Sequence, residues 1–404
     1  MDEKKKVPKL RFKGFTDDWE QRCLIEMLAQ PITDGPHETP NLVKRGIPFI
    51  SVEAVMNNRL DFTRKRGFIS SEYNDQCNKK YKPQLHDVYL VKSGSTVGKV
   101  AIVETNMVFN IWSPLAAMRV NEFNNAYFLY YLLQTDNLQD QIKKKSKGGT
   151  QPNLSMRILE KCITNSTNLK EETQIALILN KVDKLLLLQQ RKLKQLILFK
   201  KGILQRIFKS SSVTQDILRL KEDSIQWKKE RLRDIAKFLN GRAFKQKELL
   251  AKGKYPVVRV GNFYTNDKWY YSNLLLEDNK YLDKGDLLYT WSATFGPHIW
   301  TGNKAIFHYH IWKIDFDKKQ INKVFLYYFL EADKTQLLAN TNGSTMIHMT
   351  KSDMENKVIY LPPVSIQTEL GQMLSKLDNQ IQRRKLKIKL LTELKQFLLQ
   401  NMFI

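Results

Sequence analysis

The chain has 404 residues, of which 42% are hydrophobic and 11% aromatic, enough apolar material for two or three folded domains and unlike a disordered composition. Lys and Arg outnumber Asp and Glu by 66 to 41, and both halves share the excess: 35 against 21 in residues 1–210 and 31 against 20 in the remainder. That balance points to a polyanion, nucleic acid ahead of an acidic membrane surface. The three cysteines, Cys23, Cys77 and Cys162, argue against a zinc or disulfide framework and for a reducing compartment, and no apolar run suggests a signal peptide or a membrane span.

Residues 20–165 form a first globular region of mixed α and β character. Arg64-Lys65-Arg66-Gly67 is expected to be a basic loop that could meet DNA. The short apolar runs Val88-Tyr89-Leu90-Val91 and Val100-Ala101-Ile102-Val103 predict strands. Between them, Lys92, Ser93, Ser95, Thr96 and Lys99 are candidate DNA contacts at a strand end. The same stretch invites comparison with a phosphate-binding P-loop, but only three residues separate Gly94 from Gly98 and Val100 follows Lys99, so the spacing and the hydroxyl that such a loop needs are missing. Tyr127–Leu133 predicts a buried helix whose aromatic stripe is core. A basic, glycine-rich loop is expected over Lys143, Lys144, Lys145, Lys147, Gly148, Gly149 and Thr150, with small residues letting backbone N–H groups approach phosphates.

The next segment is periodic. Ile175, Leu179, Val182, Leu186, Gln189, Leu193, Leu196, Lys200, Ile203 and Ile207 follow alternating steps of four and three, the seam of a coiled coil. A second globular region, residues 228–362, again mixes α and β, with Asp286-Leu287-Leu288-Tyr289 as a strand and Val324–Leu330 as the counterpart of the first buried helix. Its candidate DNA contacts are Trp291, Ser292 and Thr294 and the loop residues Asn342, Gly343, Ser344 and Thr345. His298, His308 and His310 lie in one aromatic stretch and are expected to be structural, since no further metal ligands accompany them. Leu370, Leu374, Leu377, Ile381, Arg384, Ile388, Leu391, Lys395, Leu398 and Met402 make a second seam in the same register, beginning after Pro362-Pro363. Both seams are polar at matching places, Gln189 with Arg384 and Lys200 with Lys395, which costs stability but restricts register. Each helix would run about 36 residues, about 55 Å, a scale that suits DNA readers placed about one helical turn, about 34 Å, apart.

The chain therefore repeats itself. Residues 148–208 align with 343–403 at a constant offset of 195, while upstream correspondences such as Trp19 with Trp227 and Pro48-Phe49-Ile50 with Pro256-Val257-Val258 slip in offset. Variable globular regions alternate with length-fixed helices. No glycine-rich cofactor loop and no Asn/Asp-Pro-Pro-aromatic motif of an amino-methyltransferase is found, and no nuclease metal cluster stands out.

Together these features resemble the specificity subunit of type I restriction–modification systems. The resemblance spans nearly the whole chain and rests on Phe15-Thr16-Asp17-Asp18-Trp19, Tyr255-Pro256-Val257-Val258-Arg259-Val260-Gly261-Asn262, the Asp-led strand ending in Ser93-Gly94-Ser95, Gly148-Gly149-Thr150-Gln151-Pro152-Asn153-Leu154-Ser155, and Glu171-Glu172-Thr173-Gln174-Ile175 at the helix entry. It implies an α+β fold with two target-recognition domains, residues 1–168 and 211–364, and two spacer helices, residues 169–210 and 365–404, paired antiparallel with pseudo-twofold symmetry. It also implies a non-catalytic chain in a bacterial cytoplasm that reads a split double-stranded DNA site and binds no cofactor itself. Two modification subunits would supply S-adenosylmethionine and adenine N6 methylation, and restriction subunits would add ATP- and magnesium-dependent translocation and cleavage. The second copy departs in detail, with Ser292-Ala293-Thr294 for Ser93-Gly94-Ser95 and Met346-Ile347-His348 for Gln151-Pro152-Asn153. Two alternatives stay open: a stand-alone methyltransferase or nuclease with unrecognised motifs, and a coiled-coil assembly protein without DNA specificity.

Overall fold

The computed structural model describes residues 7–146, 152–208, 227–264, 266–292, 294–340 and 349–404. The chain divides into two compact units, Met1–Gln190 with Leu386–Ile404, and Arg191–Lys385. Each unit holds one globular region and one part of each long helix.

In the first unit an antiparallel four-stranded sheet runs in the order Thr33–Asp34, Leu115–Met118, Val88–Val91, Val100–Ile102. Its central strands are buried on both faces, which is why they read as unbroken apolar runs. Alternate residues serve different cores, as the period of two requires. Val88, Leu90, Val100, Ile102, Ala116 and Met118 pack with the helices, whereas Tyr89, Val91, Ala101, Leu115 and Ala117 face a second apolar cluster with Ile50 and Ile111. Those last two belong to a three-stranded sheet ordered Gly67–Ile69, Ile47–Ile50, Asn110–Ile111. The helix Ala126–Leu132 covers the other face.

The second unit repeats this plan. Its four-stranded sheet runs Ala236–Asn240, Ile311–Phe316, Leu287–Thr290, Gly296–Ile299, and its second sheet runs Tyr270–Ser272, Tyr255–Val258, Ala305–Phe307, Tyr281–Leu282. In both units a two-stranded ribbon ties the start of the region to the segment just before a long helix: Glu20–Cys23 pairs with Ile163–Ser166, and Lys228–Arg231 with Val358–Leu361.

The long helices are Leu169–Phe208, 40 residues, and Val364–Asn401, 38 residues, slightly longer than the periodicity predicts. Every predicted seam position is buried or half-buried. In the first unit Ile175, Leu179 and Val182 share a core with Leu398, Met402 and Phe403, so the segments run antiparallel. In the second unit Leu204 and Ile207 share a core with Leu374 and, at its edge, Leu370.

The two seam lysines form ion pairs repeated by the duplication. Lys395 binds Asp183 at 2.9 Å, and Tyr131 donates its hydroxyl to Asp183 at 3.0 Å. In the second unit Lys200 binds Asp378 at 2.7 Å and Tyr328 donates to Asp378 at 2.8 Å. Each ammonium also lies over its tyrosine ring, at 5.4 and 5.2 Å. Because the tyrosines come from the buried helix of each globular region, the seam charge joins helix register to that region.

The helix entries are clamped alike. Asn125 caps Ala126–Leu132 by accepting from Tyr127 and Phe128 N–H groups, and its own N–H donates to Glu172 at 2.7 Å. Asn322 caps the second buried helix, Lys323–Asn340, and its N–H donates to Gln367 at 2.8 Å. The Glu-Glu-Thr-Gln entry motif is thus a cap receptor.

Candidate nucleic-acid interface

The structure brings several of the sequence-predicted residues of the first region together. Gly94 N–H donates to the Pro152 carbonyl at 3.0 Å and Leu154 N–H to the Lys92 carbonyl at 2.7 Å, so the Ser93-Gly94-Ser95 and Pro152-Asn153-Leu154 segments pair. Gly94 and Gly98 both hold φ near +92°, a left-handed conformation that glycine adopts without penalty. Gln139 donates to the Gly98 carbonyl at 2.9 Å and ties this turn to the helix Asp136–Lys145. Ser95 and Lys99 are exposed, and Ser93 and Thr96 are half-buried.

Two expectations change. Lys143, Lys144 and Lys145 are the exposed last turn of the helix Asp136–Lys145, not a loop. Leu138 and Ile142, one turn apart, bury its apolar face, and cations at a helix C-terminus are favoured by its dipole. Lys147, Gly148, Gly149 and Thr150 lie outside the described residues, as do Asn342, Gly343, Ser344 and Thr345. Lys92 points inward. Its ammonium sits 3.2 Å from Asp34, a fully buried carboxylate that also pairs with Lys80 and, at 3.1 Å, with His37.

The remaining candidates form a second group around one backbone corner. Arg64 ends a short 3-10 turn and stands 3.7 Å from Asp61; Lys65 lies over Phe68 at 4.7 Å. Arg66 is exposed and stacks on Trp112 at 3.8 Å. Trp112 leads into Ser113 and Pro114, whose carbonyl accepts from Lys92 N–H at 2.9 Å, so this group abuts the Ser93 turn. In the second region Trp291 takes the place of Lys92: its N–H donates to the His310 carbonyl at 3.2 Å, its indole N–H to the Tyr309 carbonyl at 3.0 Å, and its ring stacks on Trp312. Ser292 is half-buried and Thr294 exposed.

His308 and His310 touch each other and Tyr309. Burial lowers the pKa of His308 to about 4 and lowers that of His310 as well, so both rings are neutral near pH 7 and act as hydrogen-bonding groups rather than charges. His298 stacks on Phe263 and is likewise pushed down by burial, to about 4. Among the described residues no group of three or more His, Cys, Asp or Glu is placed to hold a metal ion, and no helix is long and apolar enough to cross a membrane.

Sequence reasoning missed Trp112, Asp34 and the partners of the seam lysines. Asp183 and Asp378 did carry a signal, since they occupy one position of the 195-residue repeat. Asp34 carried none, because nothing local links it to Lys92.

Residues 17–198 and 224–393 each match the family model described as the type I restriction modification DNA specificity domain. The chain is 25% identical over 382 residues to the type I restriction enzyme MjaIX specificity subunit of Methanocaldococcus jannaschii, covering 87% of this chain and 85% of that one. It is 26% identical over 164 residues to the EcoBI specificity subunit of Escherichia coli, covering 40% and 34%. Its fold is similar to the crystal structure of a type I restriction–modification system S subunit from M. genitalium, with a TM-score of 0.65, 15% identity and 98% and 99% coverage of the two chains.

Proposed function

Since the chain belongs to the type I restriction–modification DNA specificity family, the non-catalytic DNA-recognition subunits of these systems, we propose that it reads a bipartite double-stranded DNA target, one half-site per globular region. Residues 1–168 and 211–364 are the readers and residues 169–210 and 365–404 the spacers. The observation that carries this reading is the duplication itself: two regions share strand order, cap receptor and seam ion pair, yet expose different side chains. A scaffold repeated with its contacts varied suits two independent sequence readers.

Two modification subunits, bringing S-adenosylmethionine and adenine methylation, dock on the helices, and restriction subunits bring ATP and magnesium. Exposed apolar side chains support a docking role. Leu386, Leu390, Leu394 and Phe397 share one face of the second helix and are 43–57% exposed, more contiguous apolar surface than a solvated helix needs. Work in the bacterial cytoplasm follows from a chromosomal DNA target.

The test is to express the chain with its modification subunit in a methylation-free host and sequence the methylated genome. A split adenine-methylated motif with an unread spacer is the expected result. Methylation by the chain alone, or an unsplit motif, overturns the reading.

A further inference from the structure

The two globular regions can be superposed bond by bond at one corner without reference to sequence similarity. Trp112 N–H donates to the Ile50 carbonyl and His308 N–H to the Val258 carbonyl, both at 2.9 Å. Ser113 N–H donates to the Pro36 carbonyl at 3.2 Å and Tyr309 N–H to the Arg242 carbonyl at 3.1 Å. Each corner needs a glycine at the same place. A Cβ on Gly35 would stand 1.9 Å from the Ile111 carbonyl oxygen, and one on Gly241 2.4 Å from the Phe307 and His308 carbonyl oxygens. The backbone is therefore common to both, and so is the apolar layer beneath: Ile50 and Ile111 in one, Val258 and Phe307 in the other, all fully buried.

Above that layer every matched side chain differs: Pro36 against Arg242, Trp112 against His308, Ser113 against Tyr309, Pro114 against His310, Lys92 against Trp291. Lys92 is held inward by Asp34 and Trp291 rests on Trp312, whereas Trp112, Ser113, His308, Tyr309 and His310 are half-buried or exposed. In the first region the Arg66 guanidinium lies over the Trp112 ring, 3.8 Å from its centroid. No carboxylate pairs with it among the described residues, and the side chain is exposed, so the ring positions the guanidinium while its N–H donors stay available. In the second region Trp291, stacked on Trp312, has His310 edge-on to its ring at 5.0 Å, and His310 lies tilted 3.9 Å from Tyr309, which is 38% exposed.

We infer that this corner is the base-reading surface of each region, with Arg66 on Trp112 reading a guanine of one half-site and Tyr309 with His310 contacting the other. The inference rests on the bipartite reading above and adds which side chains specify bases. A planar fork with available donors matches the O6 and N7 acceptors of guanine in the major groove, whereas a flexible lysine would only meet phosphate. In the second corner Arg242 is engaged by Glu248 at 2.8 Å, and Tyr309 with His310 offers uncharged donors, acceptors and ring faces to its half-site.

The experiment uses the full chain in complex with its modification subunit and a series of duplexes in which each base pair of the methylated motif is replaced in turn. R66A and R66K should both lose discrimination at one G·C pair of the first half-site, by roughly ten- to a hundredfold, and keep discrimination in the second. Y309A/H310A should do the reverse. If R66K discriminates like the parent, or if R66A weakens all duplexes equally, Arg66 is a phosphate or structural contact and the assignment falls. Loss of discrimination in both half-sites from either variant also overturns it. Failure of the underlying bipartite reading would appear separately, in the parent complex, as the absence of a split motif.

Discussion

Glu172 and Gln367 occupy the same position in the two copies and receive the same cap N–H. Gln367 completes its bonding by donating to the Gln320 and Pro362 carbonyls at 3.0 and 2.8 Å, while Oε1 of Glu172 is buried with no hydrogen-bond partner among the described residues. Burial raises the Glu172 pKa to about 8, opposed by the Asn125 N–H and by Arg22. An unfolded glutamate ionises near 4.5, so between about pH 4.5 and 8 the folded chain keeps a proton that the unfolded chain has lost, and stability falls as pH rises through that window. Glu172→Gln should remove this slope and raise stability at pH 8 by about 1–3 kcal/mol; thermal melts of both proteins from pH 5 to 8 would show parallel curves if the carboxyl is not responsible. Lys92 teaches a related lesson. From its strand-end position the sequence suggested a DNA contact, but Asp34, remote in sequence, claims it. Lys92→Met should therefore destabilise the fold by about 1–3 kcal/mol, removing one of the partners of a buried carboxylate that keeps Lys80 and His37, without lowering the salt dependence of DNA binding. A reduced slope at unchanged stability would restore the phosphate-contact view.

At the scale of elements, the seam lysines explain why a coiled coil tolerates charge at its centre. Lys395→Met alone leaves Asp183 half-satisfied by Tyr131 and should cost about 3–5 kcal/mol, whereas Lys395→Met with Asp183→Asn should recover most of that loss. Urea unfolding of the single and double variants decides the point, since equal losses in both would mean that the pair contributes nothing through its charge. The long helices were legible because a seam sustained over ten positions is a local, repeated signal. The strands Val88–Val91 and Leu287–Thr290 were legible for the same reason, each being a continuous apolar run. The helix Asp136–Lys145 was not, because its periodicity rests on two residues, Leu138 and Ile142, and the run of lysines outweighed them. Partners that meet only in the tertiary fold, such as Arg66 with Trp112, left no trace in the one-dimensional pattern.

For the whole molecule, the duplication was fully legible, because a fixed 195-residue offset needs no knowledge of structure, and it predicts modular behaviour. Replacing residues 228–362 with the corresponding region of another family member should change one half of the methylated motif and leave the other intact; methylome sequencing of the hybrid would count against two independent readers if both halves changed. The division of the chain has a further consequence for how the protein is made. Residues 386–404 complete the first unit, with Phe403 in ring contact with Trp19 and Phe128. During synthesis these residues leave the ribosome after the entire second region, so the first region waits with Ile175, Leu179 and Val182 uncovered while nearly two hundred residues are added, a long-range closure that slows folding. A product of interrupted translation would carry a finished second region beside an open first one. Its bare apolar stripe would hand it to chaperones and proteases, and a cell would seldom hold a reader of only half a site.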